Sequence, residues 1–80
     1  MTEKKHLADN MINFRKYTKI SQGEFAKQTK LSRGIVSLIE RQSSNVRLGN
    51  LIKIASFMGI AIPDVFKKDY VKNTFESIDE

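Results

Sequence analysis

The feature that most constrains this chain is a pair of short helical segments separated by only three residues. Ser21 is placed to cap a helix over residues 22–29, with Glu24 at its third position, and Ser32 is placed to cap a second helix over residues 33–41. Two short helices joined by a turn of three or four residues are typical of a helix-turn-helix, in which the second helix can enter the major groove of DNA.

The side chains of these two segments support that interpretation. Ala26 is small enough to let the helices cross closely, and Phe25, Val36 and Ile39 supply apolar anchors. The opposite side of the second helix then faces outward and carries Arg33, Gly34, Ser37, Leu38 and Arg41. A helix pair with a purely structural role has no need of small and basic residues on this outward side.

Three further helices are predicted around the pair. Leu7 and Met11 recur at helical spacing in a first helix that ends near residue 17. A fourth helix is predicted over residues 48–58, and Pro63 is placed to open a short fifth one. Since no segment longer than a few residues alternates with period two, we expect an all-α fold of five helices.

The chain is short enough for one domain, residues 1–80, with a core from about residue 7 to residue 67. Residues after about Lys72 lose helical periodicity, but Tyr70, Val71, Phe75 and Ile78 are too apolar for a purely disordered tail. We expect this C-terminal tail, residues 68–80, to take part in dimerisation. Small domains often complete their hydrophobic burial by pairing with a second copy. The apolar residues expected at such an interface are Ile60, Ile62, Val65, Phe66 and Tyr70.

Positive charge is concentrated in the middle of the chain, whose net charge is +5. Residues 15–53 carry nine basic side chains against two carboxylates, whereas residues 61–80 carry three lysines against five carboxylates. A concentrated basic field attracts polyanions such as nucleic acid. A solvated lysine-rich surface accounts for the charge equally well, so the charge alone does not decide.

Several classes of protein are disfavoured by what the sequence lacks. There is no cysteine for a disulfide or a thiolate metal site, and the one histidine, His6, stands outside any cluster. No glycine-rich phosphate loop and no nucleophile beside a base is present. We therefore expect no catalysis, no metal and no cofactor. With no signal peptide and no apolar run long enough to span a membrane, a cytoplasmic protein is expected.

Several motifs in order resemble the Cro/cI (XRE) helix-turn-helix family. The first three are Ser21-Gln22-Gly23-Glu24-Phe25-Ala26, Leu31-Ser32 and Val36-Ser37-Leu38-Ile39-Glu40-Arg41. Those that flank them are Phe14-Arg15, Leu51, Ile54-Ala55, Gly59-Ile60 and Asp64-Val65-Phe66. The resemblance covers about residues 7–67 and implies a compact lambda-repressor-like domain that binds double-stranded DNA. The length of the chain also resembles that of controller proteins of restriction-modification systems.

The resemblance implies a role for each outward residue. Gln22 would donate to a phosphate and brace the recognition helix. Arg33 would either bind guanine O6 and N7 or contact a phosphate. Leu38 would pack either on a thymine methyl or on the edge of the core. Phosphate contacts are implied for the loop that follows, at Arg41, Ser43, Ser44, Asn45 and Arg47. The DNA-binding residues expected in all are Gln22, Ser32, Arg33, Gly34, Ser37, Leu38, Arg41, Ser43, Asn45 and Arg47.

Two further expectations follow from the same comparison. The family places a buried salt bridge at the positions of Arg15 and Glu40, which would join helix one to the end of helix three. Lys30 and Lys19 stand where the family commonly has glycine. A left-handed backbone at Lys30 would cost about 1–2 kcal/mol, unless helix two ends in another way.

Three functions are compatible with the sequence. The first is a homodimeric transcription regulator, of controller or repressor type, on a palindromic operator. The second is an antitoxin that masks a protein partner and regulates its own gene, with the acidic tail as the docking segment. The third is a protein-interaction module of the same fold that does not bind DNA, which the glycine at position 34 favours because glycine cannot read a base edge.

Overall fold

The computed structural model describes residues 2–43 and 45–78, and within them it has six helices and no strand. The helices are α1 (Thr2–Thr18), α2 (Gln22–Thr29), α3 (Arg33–Glu40), α4 (Leu48–Met58), α5 (Ile62–Val65) and α6 (Tyr70–Ile78). The prediction of an all-α fold with a helix-turn-helix is confirmed. Helix α3 ends one residue earlier than expected, at Glu40. None of the described helices is long and apolar enough to cross a membrane.

The structure departs from the sequence-based prediction at its C-terminal end, where residues 70–78 form a sixth helix. Helix α6 packs against α1 and contributes Val71, which is buried, to the common core. The core thus extends beyond residue 67. The apolar residues Tyr70, Val71 and Phe75 recur at helical spacing on one face of this helix, so the sequence does carry the signal for α6, and the expectation of lost periodicity was wrong.

The core is built from all six helices around the crossing of α1 with the helix-turn-helix. Fully buried apolar side chains come from α1 (Leu7, Met11), α2 (Phe25), α3 (Val36), α4 (Ile54) and α5 (Val65). Three phenylalanine rings, Phe14, Phe25 and Phe57, meet edge to face with centroids 5.4–6.2 Å apart. Edge-to-face packing is the arrangement that aromatic quadrupoles favour. This packing fixes α2, and with it the helix-turn-helix, on α1 and α4.

Candidate nucleic-acid interface

The turn between α2 and α3 is built around Lys30, which adopts the left-handed conformation with φ 61° and ψ 33°. The backbone N–H of the next residue, Leu31, donates to the carbonyl of Ala26 at 2.9 Å and closes the turn. Of the two alternatives left open by the sequence, the structure adopts the strained lysine. Lys19 likewise has a positive φ, 59°.

Both helices of the pair begin at the serines that the sequence identifies as caps. The Ser21 hydroxyl oxygen accepts from the backbone N–H of Glu24 at 3.0 Å, and that of Ser32 accepts from Ile35 at 3.1 Å. Each cap satisfies a backbone donor that the first helical turn leaves free. Ser32 is exposed, so its hydroxyl hydrogen remains available to a ligand. The carboxylate of Glu24 accepts from the amide of Gln28.

The end of α3 is held by a buried carboxylate. Glu40 accepts two hydrogen bonds from the guanidinium of Arg15, at 2.7 and 2.8 Å, and a third from Nε2 of Gln22 at 2.9 Å. The hydrogen bond to Glu40 raises the pKa of Arg15 above its ordinary value, so this guanidinium stays charged. The salt bridge implied by the resemblance is therefore present. Gln22 braces α3 through Glu40, and a phosphate contact by Gln22 stays a prediction.

The opposite face of α3 is open to solvent over its whole length. Arg33, Gly34, Leu38 and Arg41 are exposed, and Ser37 is half-buried. Among the described residues Arg33 has no ion pair, so its guanidinium fork is not occupied by a carboxylate of this part of the chain. Nε of Arg41 makes a long hydrogen bond, 3.4 Å, to the carbonyl of Ser37 and lies back along the helix.

Gly34 has no structural reason to be glycine within the described chain. It lies in the first turn of α3, and a Cβ added there would meet only the Ser32 hydroxyl, at 3.9 Å, which is an ordinary contact. Glycine weakens a helix by about 1 kcal/mol relative to alanine. The contacts within the described chain therefore do not explain the glycine at this position.

The loop after α3 continues the polar surface. Ser43, Asn45 and Arg47 are all exposed, whereas Ser44 lies outside the described residues. Asn45 and Arg47 line an open groove of about 450 Å³ together with the α3 side chains Ile35 and Leu38 and with Asn50 of α4. Arg47 precedes α4 without capping it, so the first N–H groups of that helix have no side-chain cap.

Sequence reasoning missed two of these groove residues. Asn50 lies in the first turn of α4, next to the expected loop, and Ile35 has 36% of its surface exposed on the recognition helix. The only sequence feature that points to Asn50 is its position three residues after Arg47, which was expected to contact phosphate. No sequence feature points to Ile35, because an isoleucine in a short amphipathic helix is normally assigned to the core.

Comparison with known proteins agrees with this geometry. The helix-turn-helix family profile matches residues 13–65, which is most of the chain. The chain belongs to the helix-turn-helix family, of the XRE (Cro/cI) type. It is therefore a DNA-binding regulator, from a family of transcription regulators rather than of enzymes.

Individual relatives are named as a control protein and as a hypothetical transcription factor. "Control protein C.SmaI" of Serratia marcescens is 30% identical over 73 residues, which are 91% of this chain and 87% of that protein. A "Neisseria hypothetical transcription factor" from Neisseria meningitidis is 44% identical over 55 residues, 69% of this chain and 52% of that one. The chain thus spans about half the length of this second relative. The crystal structure of the "hypothetical transcription factor NHTF from Neisseria" superposes with a TM-score of 0.78 at 33% identity, over 91% of this chain and 84% of the other.

The surface predicted for dimerisation requires one correction. Val65 has no exposed surface, because α5 uses it to anchor in the core, so its side chain is not available to a second copy. The other predicted members, Ile60, Ile62, Phe66 and Tyr70, are half-buried and pack against the core. Larger apolar exposure lies on α4, at Leu48 (66%) and Ile52 (49%).

Proposed function

We propose that this chain is a homodimeric transcription regulator of the control-protein type that reads a palindromic operator with α3. The observation that carries the proposal is the exposed face of α3, which presents Arg33 and Arg41 and belongs to a helix whose C-terminal end is fixed by the contacts of Glu40 with Arg15 and Gln22. A rigid helix end is what precise reading of base edges requires, since a misplaced donor loses its geometry.

Phosphate contacts on either side of α3 would set its position in the groove. Asn45, Arg47 and Asn50 lie along the far side of the groove next to Leu38, where one DNA strand would pass. Most protein–DNA hydrogen bonds go to the sugar–phosphate backbone and position the protein without reading sequence. Gln22, at the first residue of α2, would make the equivalent contact on the near side.

Pairing is supported by the exposed flank of α4. Leu48 and Ile52 are one helical turn apart and share one side of the helix, whereas Lys53 and Phe57 line a groove with α2 residues on the other side. A second copy bound at the flank of Leu48 and Ile52 would therefore leave the helix-turn-helix free. Two-fold pairing makes the same patch face itself and places two recognition helices on half-sites about 34–36 Å apart.

The experiment that tests this proposal is selection of bound sequences from a random duplex pool by the full chain, with sedimentation of the free protein and of the complex. We expect an inverted repeat bound by two chains, with an affinity that falls steeply as salt rises because phosphate contacts release counterions. Enrichment of a single, non-repeated site bound by one chain would contradict the dimer. A pool with no enrichment at low salt would contradict sequence-specific binding altogether.

Arg33→Ala tests the role assigned to α3 in this proposal. We expect the variant to bind the selected operator about 10–100-fold more weakly and to lose preference at one base pair of each half-site, because a bidentate contact to guanine is worth about 1–3 kcal/mol. Lys68→Ala, which removes an exposed cation outside the helix-turn-helix, is the matched control and should keep the preference at every position. An unchanged preference profile for Arg33→Ala would remove Arg33 from the reading residues.

A further inference from the structure

The centre of the outward face of α3 is apolar rather than polar. Val36, Ile39 and Glu40 are buried on one side of this helix, so Gly34 and Leu38, one turn apart, lie near the middle of the other side. Leu38 has 38% of its surface exposed, and Ile35, at the border of this face, has 36%. Two aliphatic side chains on a helix of eight residues thus face the solvent next to Arg33 and Arg41.

Gly34 makes this apolar surface accessible. Helical side chains lean towards the N-terminus, so the side chain of Leu38 lies over the turn that begins at Gly34. With no side chain at position 34, nothing on the preceding turn covers Leu38. A Cβ would fit at Gly34 without a clash inside the protein, its nearest neighbour being 3.9 Å away. The space over the backbone at Gly34 is therefore open to a ligand that comes close to the helix.

The surroundings of this face indicate the chemistry of that ligand. Arg33 and Arg41 flank Gly34 and Leu38 along α3, and Arg47 borders the groove that Ile35 and Leu38 line. An apolar strip between cations suits a polyanion that presents an apolar group, rather than an apolar protein surface. On duplex DNA the C5-methyl group of thymine is the apolar group that the major groove presents, and cytosine, its pyrimidine counterpart, lacks it.

We propose that α3 reads thymine through its C5-methyl group, which packs against Leu38 and Ile35 in the space left by Gly34. This inference rests on the proposed DNA-binding function and names the base that the function recognises. It makes Leu38 a specificity-determining residue. It also gives Gly34, which has no side chain to hydrogen-bond a base, a role in recognition. Arg33, at the first turn of the same helix, reads guanine beside it. Each half-site of the operator is therefore expected to contain both a thymine and a guanine.

The test removes the methyl group and nothing else. In the selected operator each thymine is replaced in turn by deoxyuridine, and the affinity of the full-length wild-type chain is measured by fluorescence anisotropy. At one or two thymines of each half-site we expect a loss of about fourfold, the value of one buried methyl group. A selected half-site without thymine, or equal affinity for thymine and uracil at every position, would overturn the inference while leaving the DNA-binding function intact.

Variants of the protein then identify the side chain that contacts the thymine methyl group. Leu38→Ala should reduce the ratio of thymine to uracil affinity at the sensitive position to about twofold or less, the remainder being due to Ile35. Ile12→Ala, which shortens an exposed aliphatic side chain of α1, should keep the fourfold ratio. Gly34→Ala should bind the thymine operator at least threefold more weakly. A Leu38→Ala ratio that remains fourfold would overturn the assignment to Leu38, and an unweakened Gly34→Ala would overturn the close approach. Because the uracil scan needs no variant, the inference stays testable if Leu38→Ala fails to fold.

Discussion

The backbone N–H of Val71 donates to the side-chain Oδ1 of Asn10 at 3.1 Å inside the core of the domain. The Nδ2 group of the same asparagine donates to the carbonyls of Val65 and Lys67, at 2.8 and 2.9 Å. Asn10 has no exposed surface, so these three bonds replace all contact with water. One side chain of α1 thereby fixes both the end of α5 and the start of α6, and it attaches the C-terminal helix to the fold.

Replacement of Asn10 should therefore destabilise the whole domain. Asn10→Leu fills a similar volume but leaves a buried N–H and two carbonyls without this partner, and each unsatisfied buried group costs about 1–3 kcal/mol. We expect the free energy of unfolding, measured by urea titration, to fall by about 3 kcal/mol. Asn73→Leu, at an exposed position of α6, is the control and should stay within about 0.5 kcal/mol of wild type. Equal losses in the two variants would refute a special role for Asn10.

The contrast between Asn10 and the helix-turn-helix explains what the sequence could predict. The caps at Ser21 and Ser32 and the turn at Lys30 are set by residues within a few positions of each other, so local pattern was enough to find α2 and α3. The bonds of Asn10 span 55–61 residues, and no local pattern encodes them. Helix α6 is a different case, because Tyr70, Val71 and Phe75 do recur at helical spacing, and the mainly polar residues between them led to the expectation of an irregular tail.

The residues of the candidate site likewise divide into those that helical spacing predicts and those whose position depends on the tertiary structure. The outward positions of α3, such as Arg33 and Leu38, follow from helical spacing, and the structure places them on one exposed face. The groove partner Asn50 could not be assigned, because its distance from α3 depends on the path of the loop. Val65 was misplaced on the surface because a short helix does not reveal from its sequence which of its apolar residues anchor it.

The buried carboxylate Glu40 should be required for stability. Its side chain is 4% exposed and neutralises Arg15, so Glu40→Gln leaves a partly buried guanidinium without its counter-ion. Removing one member of a buried pair costs about 3–5 kcal/mol, and we expect a loss at the lower end of that range in urea titration. Asp64→Asn, which breaks the exposed pair with Lys67, should change stability little. If both variants unfold at the same urea concentration, the Glu40 pair is not a stabilising element.

The pH dependence of this pair follows from the direction of the shift. The hydrogen bond to Glu40 raises the pKa of Arg15 above its ordinary value. A group whose pKa is raised on folding contributes stability below its unfolded pKa and loses it only as the pH rises past that value. We therefore expect the difference in unfolding free energy between wild type and Arg15→Met to stay constant from pH 6 to pH 10. A difference that shrinks steadily over this interval would contradict the assignment.

Lysine-to-glycine substitutions at two nearby positions should have opposite effects. Lys30→Gly relieves the left-handed backbone at φ 61°, and we expect it to raise the free energy of unfolding by up to about 1 kcal/mol after the greater freedom of glycine in the unfolded chain is subtracted. Lys27→Gly, inside α2, should lower it by about 1 kcal/mol. Thermal and urea unfolding of the two variants measure whether each substitution raises or lowers the free energy of unfolding. A loss at both positions would indicate that the lysine at position 30 is not strained.

The exposed flank of α4 should control self-association. Ile52→Lys places a charge where 49% of an isoleucine is exposed, and a charge buried at a two-fold interface meets its own copy. We expect the dimer dissociation constant, measured by sedimentation equilibrium, to rise at least 100-fold, with the fold unchanged by circular dichroism.

Two further lysine variants show whether that effect is specific. Ile12→Lys, at a 38% exposed isoleucine of α1, is the matched control and should leave the dimer intact. Ile62→Lys tests the surface expected from the sequence, and it should act less strongly than Ile52→Lys because Ile62 is already half-buried against the core of its own chain. If Ile62→Lys dissociates the dimer and Ile52→Lys does not, the pairing surface is the one centred on α5, and the flank of Leu48 and Ile52 has another role.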